Sequence, residues 1–210
     1  MKVLILCSAR PAFVWEKSYD SAGFDRAVQQ AMDSDGEPFE AKSIRADGRR
    51  VYVSRHKCAL QTAALLIEGA EPVVEPLLDE IAPRSYKDSR RPLPLSRWQR
   101  LAKLQRAMGH ERQPESAAKA KDRAEQLIGL LEERGEDCIL VSHPDFLKVL
   151  LDRFRIHGYC AARSGLFAIS PLERIVMTRR EEHCGGCSHN CLLSNPGCGV
   201  GRDKARRHSS

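Results

Sequence analysis

The chain has 210 residues, a net charge of +6, 30% charged and 42% hydrophobic residues, the proportions of an ordinary globular protein. No stretch approaches the ~20 apolar residues of a membrane helix. Lys2 and the short apolar run Val3–Cys7 end at Arg10-Pro11 without a signal-cleavage pattern, so a cytoplasmic location is expected. The charge by itself admits nucleic acid, but no aromatic stacking platform or binding motif accompanies it, and none is expected as a partner.

Met1–Cys7 (MKVLILC) reads as a buried strand closing on Ser8-Ala9-Arg10-Pro11. Tyr19–Met32 reads as an amphipathic helix through Phe24, Ala27, Val28 and Ala31, and Phe39–Ile44 as an edge strand. Val51–Val53 is a second buried strand, broken by Ser54–Lys57. A helix is expected from Ala59, with Leu60, Ala63, Ala64 and Ile67 on one face. Val73–Leu78 leads into the acidic pair Asp79-Glu80, and Arg84–Pro94 is a Pro- and Arg-rich loop. A helix through Trp98, Leu101, Leu104 and Met108 follows, closed by Gly109. The longest helix spans about Glu115–Arg134, with Gly135 as its stop. Asp137–Ser142 is a third buried strand, turning at His143-Pro144-Asp145 into a helix over Phe146–Phe154. Leu166–Ile169 and Ile175–Met177 read as a closing hairpin.

Continuous apolar runs alternating with helices predict a mostly parallel sheet covered on both faces. Each strand that turns through a polar elbow into a helix aims backbone N–H groups at whatever lies above it, an arrangement suited to an anion. Three such elbows, at Ser8–Arg10, Ser54–Cys58 and His143, should converge on one crevice at the carboxyl ends of the strands.

Ser54, Ala59, Gln61, Thr62 and Ala63, then Leu78-Asp79-Glu80-Ile81, then Ser142-His143 occur in the order and at about the separations of a known pattern. On these residues the chain resembles the histidine phosphatase superfamily, also called phosphoglycerate mutase-like, over about residues 1–178. The resemblance implies an α/β fold, a three-layer α/β/α sandwich with a mostly parallel sheet. It also implies a phosphohistidine mechanism: the first strand ends in Arg-His-Gly and the second elbow carries another Arg. Here the first motif is Ser8-Ala9-Arg10, and Cys58 takes the place of the second Arg. Alanine has no lone pair with which to accept a phosphoryl group, and a thiol cannot imitate a bidentate, always-charged guanidinium. Of the catalytic set that the resemblance implies, His143 and Glu80 remain.

The expectation is therefore a catalytically degenerate member, not an enzyme of the usual type, that binds a phosphorylated small molecule or another anion. Ser8, Arg10, Ser54, Arg55 and His143 are the expected ligand-binding residues. The alternative is an active phosphomonoesterase with a rearranged nucleophile, for which His56, Cys7, Ser8 and Cys58 are candidates; a thiolate is favoured at a helix N-terminus. Residues 84–110 resemble the family's lid insertion, and their basic side chains offer a rim for an anionic ligand or an acidic partner.

Residues 1–180 form the expected domain, and residues 181–210 a separate Cys-rich tail. Cys184, Cys187, Cys191 and Cys198 are spaced Cys-x2-Cys-x3-Cys-x6-Cys among Gly, Ser, Asn and Pro. Without a secretory signal, metal binding explains such a cluster better than disulfides. Tetrahedral zinc is favoured, with His183 or His189 able to replace one thiolate, and an iron–sulfur cluster is the alternative.

Overall fold

A computed structural model describes residues 1–161 and 169–179. In chain order its elements are β1 (Lys2–Cys7), β2 (Ser18–Tyr19), α1 (Ser21–Asp33), β3 (Ile44–Arg45), β4 (Arg50–Val53) and α2 (Lys57–Leu66). There follow β5 (Ile67–Glu68), β6 (Val73–Val74), a 3-10 turn (Pro76–Leu78), β7 (Leu93–Pro94), α3 (Leu95–Ala107) and α4 (Ala117–Arg134). The last are β8 (Cys138–Ser142), α5 (Pro144–Ile156), β9 (Tyr159–Ala161) and β10 (Arg174–Arg179).

The main sheet has the order β6-β4-β8-β1-β10-β9. Its first four strands are mutually parallel, while β10 runs antiparallel to both β1 and β9. The pleat sends alternate side chains to opposite faces. Val3, Ile5, Cys7, Tyr52 and Leu140 pack under α4 and α5. Leu6, Val51, Val53, Ile139 and Val141 pack against Ala59, Ala63 and Leu66 of α2. The result is the three-layer α/β/α sandwich with a mostly parallel sheet.

Register explains why the elbows meet. Leu6 lies opposite Val141, and Val141 opposite Val53. Three parallel strands thus end level, and the residues that follow, Ser8, His143 and Ser54, emerge side by side. The Ser8 amide donates to Ser142 O (2.8 Å) and the Ser54 amide to Val141 O (3.0 Å), extending the ladder into the elbows.

Local chemistry sets the helix ends. Asp20 caps α1 by accepting from Gly23 N (2.7 Å), and Ser116 caps α4 by accepting from Lys119 N (3.2 Å). Gly135 closes α4 at φ 66°, in the left-handed region that costs glycine nothing.

Several expectations need correction. Phe39–Ile44 is not a strand; only Ile44–Arg45 pairs, with Ile67–Glu68 in a parallel two-stranded sheet apart from the main one. Helix α2 starts at Lys57 and buries Cys58, Ala59, Thr62, Ala63 and Leu66, whereas Ala64 is exposed and Ile67 lies beyond the helix. In α3 the inward residues are Trp98 and Ala102, and Leu104 and Met108 face outward. Trp98 stacks on Phe24 (5.6 Å between ring centroids) and donates its indole N–H to Tyr19 O (2.9 Å). The strand paired with β10 outside β1 is Tyr159–Ala161. Most of the expected Leu166–Ile169 arm lies outside the described residues, and Ile169 itself is not in a strand. The tail cysteines also lie outside them.

Candidate functional site

The four segments beyond the strand ends, at Ser8–Pro11, His56–Cys58, Glu80–Pro83 and His143–Asp145, wall a cavity of about 230 Å³. Helix α1 contributes Phe24, Val28, Ala31 and Met32 to its wall, the loop before it contributes Trp15, and α3 contributes Gln99. The cavity is therefore polar at the strand ends and apolar opposite.

His143 organises the polar end. Its Nε2 lies 3.0 Å from Ser54 Oγ, and Ser54 donates its hydroxyl proton to Asp79 Oδ1 at 2.9 Å. Asp79 also accepts from the Arg55 amide (3.1 Å) and the Arg55 guanidinium. Ser54 has only one hydroxyl hydrogen, so His143 must donate from Nε2, and its Nδ1 keeps the lone pair. That lone pair faces Ser8 Oγ at 3.0 Å and, more distantly, Cys58 Sγ at 3.9 Å. Burial first, then the neighbouring His56, push His143 down to about 3, and only Asp79 pulls the other way. The imidazole is neutral at pH 7.

Glu80 has a structural task. His143, the N-cap residue of α5, makes no side-chain capping bond. Glu80 supplies the cap instead, accepting from Phe146 N (2.9 Å) and Asp145 N (3.2 Å) as well as from its own neighbour Ile81 N (2.8 Å). Burial first, then the charge of Asp145, push its carboxyl up to about 7 against the pull of those three amides. The helix N-terminus that would otherwise face an anion is thus already engaged.

Ala9, set against the family's nucleophile in the sequence comparison, is buried, and its amide donates to Thr62 Oγ1 (3.0 Å). Gly36 packs on it so closely that a Cβ there would sit 3.0 Å from Ala9 Cβ. Cys58 is buried, and burial raises its thiol pKa, so the expected helix-terminal thiolate does not form. Cys7 is fully buried with its thiol pushed up to about 12, the behaviour of a small hydrophobe.

Of the expected ligand-binding residues, Ser8, Arg10 and His143 line the cavity. Ser54 stands behind His143, and Arg55 turns away to Asp79 with its side chain 68% exposed. Among the described residues the charged side chains on the wall are Arg10, Glu80 and Asp145. The basic segment over residues 84–107 contributes indirectly: Lys103 lies 3.7 Å from Asp145, and Arg84 lies 3.9 Å from Asp25. Sequence reasoning missed the relay role of Asp79 and the apolar wall from α1 and Trp15. The α1 stripe was legible, but an apolar stripe reads the same whether it meets a core or a cavity. Among the described residues no three His, Cys, Asp or Glu side chains are placed to hold a metal ion, and no helix is long and apolar enough to cross a membrane.

A parallel-centred sheet with helices on both faces and a histidine at the level ends of its strands defines a phosphoglycerate mutase-like α/β protein. Residues 36–185, more than two thirds of the chain, match the histidine phosphatase superfamily (branch 1), and the chain belongs to that family. The matched segment begins after the first strand and its Ser8-Ala9-Arg10 elbow.

Similar solved structures include the product of an open reading frame of Mycobacterium tuberculosis, at 18% identity with a TM-score of 0.47. A phosphoserine phosphatase mutant from Entamoeba histolytica in complex with phosphoserine is similar at 14% identity and a TM-score of 0.47. Phosphoserine phosphatase from the same organism in complex with 3-phosphoglyceric acid follows at 14% and 0.44. Each likeness covers 83% of this chain and 89% of the other. No curated protein matches the sequence.

Proposed function

We propose that the protein is a cytoplasmic member of the superfamily that has lost phosphohistidine chemistry and keeps its cavity as a binding site. Its ligand carries one anionic group, such as a phosphate, on an apolar body. The observation that carries this reading is the wall itself: Arg10 is the one guanidinium among its described lining residues, beside two carboxyl groups, the neutral polar side chains of Ser8, His56, Gln99 and His143, and apolar side chains. The motif comparison, which sets Ala9 against the family's nucleophile, supports it. A phosphoryl-transfer transition state needs fixed positive charge around its equatorial oxygens. One guanidinium opposed by Glu80 and Asp145 falls short of that, but it suffices to orient one anionic group. The Cys184, Cys187, Cys191 and Cys198 tail serves as a separate metal-binding module for zinc or an iron–sulfur cluster, a reading supported by the cysteine spacing alone.

A titration with phenyl phosphate followed by protein NMR tests the binding. Shifts at Ser8–Arg10, His56 and Ala82 support it, and shifts confined to a distant surface refute it. A second reading, an active phosphomonoesterase with a rearranged nucleophile, draws on the Ser8–His143 contact. Turnover of p-nitrophenyl phosphate that disappears in His143→Ala would establish it in place of the first.

A further inference from the structure

We propose that Ser8 and His143 form a serine–histidine pair able to cleave carboxylic esters whose acyl group is apolar. The proposal rests on the reading that the cavity still takes a ligand, and it concerns the same wall. Ser8 Oγ sits 3.0 Å from His143 Nδ1, the ring nitrogen left with a lone pair because Nε2 donates to Ser54. The chain continues through Ser54 to Asp79 at 2.9 Å and ends on Arg55. A hydroxyl, a base and a group that fixes the tautomer of the base are the parts of an activated nucleophile. Both Ser8 and His143 line the cavity, facing the apolar side chains of α1.

The charges favour an acyl over a phosphoryl substrate. A neutral ester develops a single negative charge on one oxygen, which one guanidinium can meet, whereas phosphoryl transfer spreads charge over three equatorial oxygens, so Arg10 can hold a phosphorylated ligand without its being cleaved. Arg10 and His56, both on the wall, are the donors available to that oxygen, and the His56 ring lies edge-on to His143 at 5.1 Å between centroids.

The step balances. A lone pair of Ser8 Oγ forms the bond to the carbonyl carbon, the carbonyl π pair moves to oxygen, and the hydroxyl proton passes to Nδ1. Collapse breaks the ester C–O bond, and the departing alcohol takes the proton from Nδ1. Water then repeats the sequence on the acyl-serine, releasing the acid and restoring Ser8. The low proton affinity of His143 makes it a weak base. Turnover should therefore be slow, and reactivity toward an acylating or sulfonylating reagent is the more sensitive readout.

The full chain is treated with phenylmethanesulfonyl fluoride and its peptides are mapped by mass spectrometry, alongside hydrolysis of p-nitrophenyl butyrate. The expected adduct is on Ser8. It should vanish in Ser8→Ala and form at least about 100-fold more slowly in His143→Gln. The labelling rate should stay nearly level between pH 8 and pH 5, since the base remains unprotonated there, where an ordinary histidine near 6.5 would lose its activity. Absence of any Ser8 adduct, or an adduct on Cys58 instead, would overturn the proposal. Circular dichroism of Ser8→Ala and His143→Gln, with the intact fold of wild type as the standard, keeps unfolding from passing as a positive result. The phenyl phosphate titration is run on the same preparation: shifts at the cavity with an unlabelled Ser8 sink the ester chemistry and leave the binding site standing.

Discussion

Acidification from pH 7 to pH 4.5 should set two groups at the site against each other. The folded chain holds His143 at about 3, against 6.5 for an unhindered histidine. The unfolded chain therefore takes up a proton that the folded chain refuses. The stability from this residue is complete above 6.5 and is lost as pH falls from 6.5 toward 3. Two pH units, from 6.5 to 4.5, at about 1.4 kcal/mol each, amount to a loss of about 3 kcal/mol. Glu80 acts in the opposite sense. Its carboxyl is raised from 4.5 to about 7 in the fold, so the folded chain holds the proton more tightly. That stability is complete below 4.5 and is lost as pH rises through 7, again about 3 kcal/mol across the interval. In the wild type the two contributions nearly cancel between pH 7 and 4.5, and below 4.5 His143 alone continues to destabilise. Urea unfolding followed by circular dichroism at pH 7, 5.5 and 4.5 separates them. Relative to wild type, and each referred to its own pH 7 value, His143→Gln should gain about 3 kcal/mol by pH 4.5 and Glu80→Gln should lose about 3 kcal/mol. Constant effects of the substitutions, and titration of the remaining carboxylates, drop out of these differences. Three superimposable pH dependences would refute the assignment of both groups.

Trp98→Ala removes a fully buried indole, its stack on Phe24 and its bond to Tyr19; urea unfolding should show a loss of about 3–5 kcal/mol. Restoring the family motif with Ser8→Arg, Ala9→His and Cys58→Arg should give trace p-nitrophenyl phosphate turnover. A folded but inert triple variant would mean that the close approach of Gly36 to residue 9 has closed the site beyond these three positions. A chain ending at Arg180 keeps β10 whole, so it should unfold cooperatively in urea and carry no metal. Zinc would leave the full-length protein colourless and an iron–sulfur cluster would make it brown; stoichiometric metal in the shortened chain would refute a tail site.

The sequence by itself determined the layered architecture and the place of the site. Val3–Cys7, Val51–Val53 and Cys138–Val141 are too uniformly apolar to face water on either side, so they had to become central strands under helices. Ser8 and Ser54 follow those runs directly and His143 one residue later, which marked them as neighbours, and Ala9 and Cys58 are where the sequence departs from the family's motifs. The outward turn of Leu104 and Met108 and the failure of Phe39–Ser43 to form a strand were not legible. A lone stripe or run states that a face is apolar, not which partner reaches it. The tertiary structure alone decided what the polar residues do. Which ring nitrogen of His143 keeps its lone pair depends on Ser54 and Asp79, 89 and 64 positions away in sequence. The capping of α5 by Glu80 sets a carboxylate on a helix end, and burial moves both groups far from their ordinary protonation. Those properties belong to distances between residues remote in the chain, and they exist only once the sheet has brought the strand ends level.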